Sequence, residues 1–136
     1  MKSYPSISTK FKHKRLVAFD KMDGSNIRAE WSNKNGFYKF GSRTRLIDEN
    51  TYRLGESINL IMENFADDLA AKFTKKRWNR TVAFFEFHGE NSFCGSHEDE
   101  EHKVTLIDVN VYKRGMLEPE MFVDTFGDLD IPKVLH

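Results

Sequence analysis

Lys21 has an amine placed where a nucleophile could work. It follows the apolar run Leu16-Val17-Ala18-Phe19 and precedes Met22-Asp23-Gly24-Ser25-Asn26. A lysine attacks an electrophilic phosphorus only when deprotonated, which calls for a pKa lowered by burial or by a neighbouring cation. A strand end would hold the amine rigidly, and Gly24 would let backbone approach phosphate oxygens. Lys-x-Asp-Gly is short, however, and a lysine beside an Asp-Gly turn is commonly just solvated. Glu86 is the second candidate. A carboxylate is an acceptor-only group and suits a sugar diol. Strict alternation turns Glu86 away from both Phe85 and Phe87, towards solvent or towards a polar cleft. Arg43 and Arg45 follow a predicted strand and could meet an anion or simply cap a solvated turn.

The elements that must carry these residues are legible from periodicity. Residues 16–19 read as a short buried strand stopped at Asp23-Gly24. Ile27-Arg28-Ala29-Glu30-Trp31 alternates like a half-buried strand, Asn35-Gly36 is a hairpin dipeptide, and Phe37-Tyr38-Lys39-Phe40 returns. This puts Lys21 in a loop at the mouth of an antiparallel meander. Ile58, Ile61, Met62, Phe65, Leu69 and Phe73 then recur at helical steps, predicting one helix over roughly 55–75 that closes on Lys75-Lys76-Arg77. Residues 81–87 and 104–112 are β-branched and aromatic, hence strands, and Pro119-Glu120-Met121-Phe122 starts a short helix. The expected class is α+β: antiparallel sheets with one main helix.

Bulk composition bounds the answer. A chain of 136 residues with 39% hydrophobic and 31% charged residues fits one globular domain, its core helped by twelve Phe. Residues 1–15 read as a basic lead-in segment. Formal net charge is zero, so any polyanion contact must come from local clusters. Cys94 is the single cysteine, which excludes an internal disulfide and fits a reducing, cytoplasmic setting. No apolar run approaches a membrane span, so no membrane partner is expected.

The motifs together resemble a family. Asp20-Lys21-Met22-Asp23-Gly24-Ser25-Asn26 is similar to the first motif of the covalent nucleotidyltransferases, which include polynucleotide ligases and mRNA capping enzymes. Asn26, two residues beyond the glycine, resembles the ATP-dependent RNA ligase branch, where the preceding Asp20 would sit near the adenine amino group. Gly41-Ser42-Arg43-Thr44-Arg45 resembles the second motif, with Arg43 the expected ribose or phosphate contact. Phe85-Glu86-Phe87-His88-Gly89 resembles the third, with Glu86 on a ribose hydroxyl. Residues 104–112 resemble the strand that supplies an aromatic base contact in a Phe-Asp pair; here the pair is Ile107-Asp108, so Ile107 takes that place. The resemblance implies an ATP-grasp-like nucleotidyltransferase domain, incomplete at its C-terminus, using ATP and Mg²⁺. Lys21 would accept AMP, aided by Asp23 and Gly24, and pass it to a 5′-phosphate on RNA in preference to DNA.

Two later motifs of the family, a Glu-Gly-x-Val strand and a Lys-x-Lys strand, do not follow Tyr112. The chain is therefore read as a partial adenylyltransferase domain over 1–136, either a piece of a longer ligase or a shortened relative. The missing strands would leave an open sheet edge able to self-associate. Other readings are a non-catalytic nucleotide- or RNA-binding module, an inactive N-terminal fragment, and a DNA ligase or capping-type enzyme. His88, Cys94, His97 and His102 lie close in sequence but lack the second cysteine pair of a zinc site, and no resident metal ligands are assigned.

Overall fold

A computed structural model describes residues 18–19, 24–89 and 101–135. Its centre is a six-stranded antiparallel sheet in the order β4-β3-β2-β5-β6-β7. Strand β2 (Ser25–Ser32) turns at residues 33–35 into β3 (Gly36–Gly41). Gly36 supplies the left-handed backbone of this hairpin with φ +69, and the Ser32 hydroxyl accepts the Asn35 N–H at 3.0 Å. Edge strand β4 (Leu46–Ile47) pairs with β3, and the long central strands are β5 (Arg80–His88) and β6 (Lys103–Val111). A short β7 (Gly115–Met116) closes the far edge. The α+β class and the antiparallel meander agree with the sequence pattern.

One face of the sheet carries the core. Ile27, Ala29 and Trp31 from β2 line up with Phe85 and Ala83 from β5 and with Leu106 and Val109 from β6, and all are buried. Helices pack over this face. Phe65 meets Phe85 edge-on at 5.1 Å, Trp31 meets Phe73 at 5.1 Å, and Phe73 meets Phe126 at 6.1 Å.

The single helix expected over 55–75 is corrected to two, α1 (Gly55–Asn64) and α2 (Ala66–Lys76). The break is at Phe65, whose φ of −127 leaves the helical region while its N–H still bonds the Ile61 carbonyl. An apolar stripe continues across such a kink, so periodicity alone does not reveal it. The basic helix end is as expected, with Arg77 adopting the left-handed C-cap conformation. A third helix, α3 (Pro119–Phe126), is longer than its sequence signal and buries Phe122 and Phe126.

The first predicted strand does not join the meander. Of its residues, Ala18–Phe19 fall within the described part; they form β1 and pair with β8 (Val134–Leu135) in a separate two-stranded sheet. No helix among the described residues is long and apolar enough to cross a membrane.

Candidate functional site

The face of the sheet opposite the core is polar, and strand register arranges it in rows. At one end Asn26 of β2 lies directly opposite Glu86 of β5, and Glu86 lies opposite Thr105 of β6. Directly opposed residues hold their Cβ atoms about 4.5–5.5 Å apart, so an amide, a carboxylate and a hydroxyl stand side by side. The next row is Arg28, Phe84 and Asp108. Glu86 is half-buried.

Arg28 explains a glycine. It is 9% exposed, and a Cβ placed on the opposing Gly41 would come 2.9 Å from its Nε and 3.2 Å from its Cζ. The guanidinium lies across Gly41, so a residue with a side chain there would have to displace it. Gly24 has a similar role at the end of the sheet where Asn26 and Glu86 lie. A Cβ on it would sit 2.2 Å from the Phe87 carbonyl oxygen and 2.9 Å from the His88 Cβ. The backbone at Gly24 is therefore laid flush against the end of β5, as only glycine permits. Lys21 itself, with Asp20 and Asp23, lies outside the described residues, bracketed by Phe19 at the end of β1 and by Gly24.

Arg43 and Arg45 sit on the β3–β4 turn, where the Ser42 N–H bonds the Arg45 carbonyl at 2.8 Å and the Ser42 hydroxyl accepts the Thr44 and Arg45 N–H groups. Both are exposed. Because β3 runs antiparallel to β2, this turn projects from the same end of the sheet as Asn26 and Glu86. Ile107 is the residue bulged out where β5 and β6 change register, with Leu106 opposite Phe85 and Asp108 opposite Phe84. Its side chain is half-buried.

Sequence reasoning missed two members of this face, Arg28 and Thr105. The signal for Arg28 was available, since period two from Asn26 places it on the same face. His88 adds a buried imidazole whose Nε2 is 2.9 Å from the Thr105 hydroxyl. Burial holds its pKa below the ordinary 6.5, and Lys103 across the strand pair adds to that; the Gly89 backbone and Asp130 act in the opposite sense. Of the residues weighed for zinc, Cys94 and His97 fall outside the described residues. His102 instead meets Glu56 at 3.1 Å. Among the described residues no three His, Cys, Asp or Glu are grouped to hold a metal.

In chemical terms these strand positions bring together a carboxylate, an amide, a hydroxyl and a buried guanidinium. That set suits a ligand bearing vicinal hydroxyls and anionic oxygens. Two cavities of about 390 and 450 Å³ open at the other end of the sheet, around Arg80 and Tyr112.

No family model matches the chain, and no curated protein does. Solved structures do. A Naegleria gruberi RNA ligase variant with ATP and Mn superposes with a TM-score of 0.60 at 13% identity, covering 88% of this chain and 35% of that one. The same ligase with pyrophosphate gives 0.61 at 16% identity, covering 88% and 36%. A lysine-to-alanine variant without ligand gives 0.61 at 17%, again covering 88% and 36%. At such identity the likeness establishes a shared fold. The chain spans about a third of the length of these ligases.

Proposed function

We propose that this chain carries the nucleotide-accepting part of an ATP-dependent RNA ligase, with Lys21 as the residue that takes AMP. One observation carries the reading. Asn26 and Glu86 belong to two motifs recognised separately and far apart in sequence, and they are direct cross-strand neighbours. A chance match to either motif would not require that.

In this reading the neutral Lys21 amine attacks the α-phosphorus of ATP. A P–N bond forms, the bond from the α-phosphorus to the bridging oxygen breaks, pyrophosphate leaves with that electron pair, and the ammonium proton passes to solvent. Glu86 accepts from a ribose hydroxyl, and Asn26 orients the nucleotide beside it. Asp20 and Ile107 bound the base, while Asp23 and Gly24 shape the loop that presents the amine. Arg43 meets phosphate or ribose from the β3–β4 turn. AMP then moves from Lys21 to a 5′-phosphate on RNA, with release of the lysine.

The polar row fits the ribose and phosphates of ATP. Mg²⁺ fits as a companion of the triphosphate, since this ion is commonly held by substrate phosphates. When bound it would neutralise charge on the leaving pyrophosphate.

The test is transfer of label from α-labelled ATP, with Mg²⁺, to the protein. Acid-labile label on the chain and none on Lys21→Ala is the expected result, with Glu86→Gln reducing the rate at least tenfold, about one charge-assisted hydrogen bond. A second reading is a nucleotide-binding module without catalysis. It predicts ATP protection against unfolding with no label on any variant.

A further inference from the structure

The opposite end of the sheet holds a cluster that the nucleotide reading does not use. Helix α2 ends in Lys76 and Arg77, β5 opens with Arg80, and the β6–β7 turn is Tyr112-Lys113-Arg114. These segments are tied together where the Tyr112 N–H bonds the Arg80 carbonyl at 3.0 Å. Around them opens the 450 Å³ cavity, with Lys76, Arg77, Arg80 and Arg114 in its wall and no acidic residue. None of these four cations, nor Lys113, forms an ion pair among the described residues. In a protein of zero net charge, that is a strong local excess. Stabilising the α2 C-terminus accounts for Lys76 and Arg77 at most, because Arg80, Lys113 and Arg114 lie on other elements.

The aromatic groups identify the polyanion. The Arg80 guanidinium lies 4.7 Å from the Tyr112 ring centroid, the Lys113 ammonium 5.8 Å, and the Lys76 ammonium lies 5.9 Å from the Trp78 ring. Tyr112 is 57% exposed. A stacked arginine keeps its N–H edge for phosphate oxygens, and an exposed ring beside it can receive a base. An acidic protein segment would use the cations and gain nothing from stacking on the exposed ring.

We infer that this patch is a second, sequence-independent binding site for the backbone of a single-stranded polynucleotide, remote from the proposed nucleotide site. Six residues of β5 separate Arg80 from Glu86, which at about 3.3 Å per residue is roughly 20 Å. A strand that stays stacked would bridge that gap in about six nucleotide steps at ~3.4 Å each. The patch does not rest on the chemistry assigned to Lys21 and is tested without ATP.

The experiment is equilibrium binding of a fluorescent single-stranded RNA of about 20 nucleotides with a 5′-hydroxyl end, as a function of salt. The variants are the double change Lys76→Ala with Arg114→Ala, Tyr112→Ala and Tyr112→Phe, each checked by thermal melting. The double variant is expected to reduce the log–log salt slope by about 1.4, at ~0.7 per cation on a single strand. Tyr112→Ala is expected to weaken binding about tenfold, and Tyr112→Phe to retain it. An unchanged slope in a folded double variant overturns the proposal. So does displacement of the RNA by polyglutamate at equal charge concentration together with indifference to Tyr112→Ala, which would assign the patch to acidic protein segments. If Lys21 takes no label while the slope falls as stated, the adenylylation reading fails and the patch stands.

Discussion

The two faces of the sheet are built from the same strands and obey different physics. On one, Ile27, Ala29, Phe85, Phe87 and Leu106 are fully buried against the helices, and apolar burial is what they contribute. On the other, Arg28, His88 and Thr105 are buried polar groups, which are tolerated only when partnered. Alternation along β2 and β5 therefore sorts residues into a face that supplies apolar burial and a face whose polar groups need partners. The difference also separates what can be varied. A core position accepts any apolar group of the right volume, whereas a row such as Asn26–Glu86–Thr105 is specific in type and register.

The largest effect that would test this division comes from the core. Phe85→Ala is expected to cost about 3–5 kcal/mol of unfolding free energy, measured by urea denaturation. A much smaller loss would mean that the helices pack less firmly on β5 than the ring contacts imply. Gly24→Ala should cost about 1–3 kcal/mol by overpacking against the Phe87 carbonyl, and nucleotide binding should fall more than stability does. Equal losses in both would remove the special status of the polar end.

The smallest effect is a pH dependence from His88. Its folded-state pKa is lowered, so above pH 6.5 both folded and unfolded chains carry a neutral ring. As pH falls below 6.5 the unfolded chain takes up the proton first, and stability declines until the folded ring also protonates. Comparing melts of the chain and of His88→Gln from neutral to acidic pH should show this slope flattened in the variant. An identical slope in both would place the acid sensitivity elsewhere.

Much of this division was legible in the sequence. Strict alternation predicted that Glu86 turns away from Phe85 and Phe87, and the register places it across from Asn26. Asn35-Gly36 marked its hairpin correctly, because a left-handed backbone at that point favours glycine. The kink at Phe65 was hidden, since Ile61, Phe65 and Leu69 continue one apolar stripe through it. The bulge at Ile107 was equally silent; it depends on how β6 meets β5, not on the residues of β6 alone. Burial of Arg28 rests on the bare backbone of Gly41, a cross-strand relation that no local window contains.

The pairing of β1 with β8 has a temporal side. The strand that leads into Lys21 finds its partner more than a hundred residues later in the chain. A ribosome adding about 5–20 residues per second needs several seconds to deliver β8 after β1 has emerged. The central meander can close in that interval from neighbouring strands, while the lysine's lead-in strand must wait. Assembly of the molecule thus has a built-in order in which the central sheet forms before the strand that leads towards Lys21 is fastened.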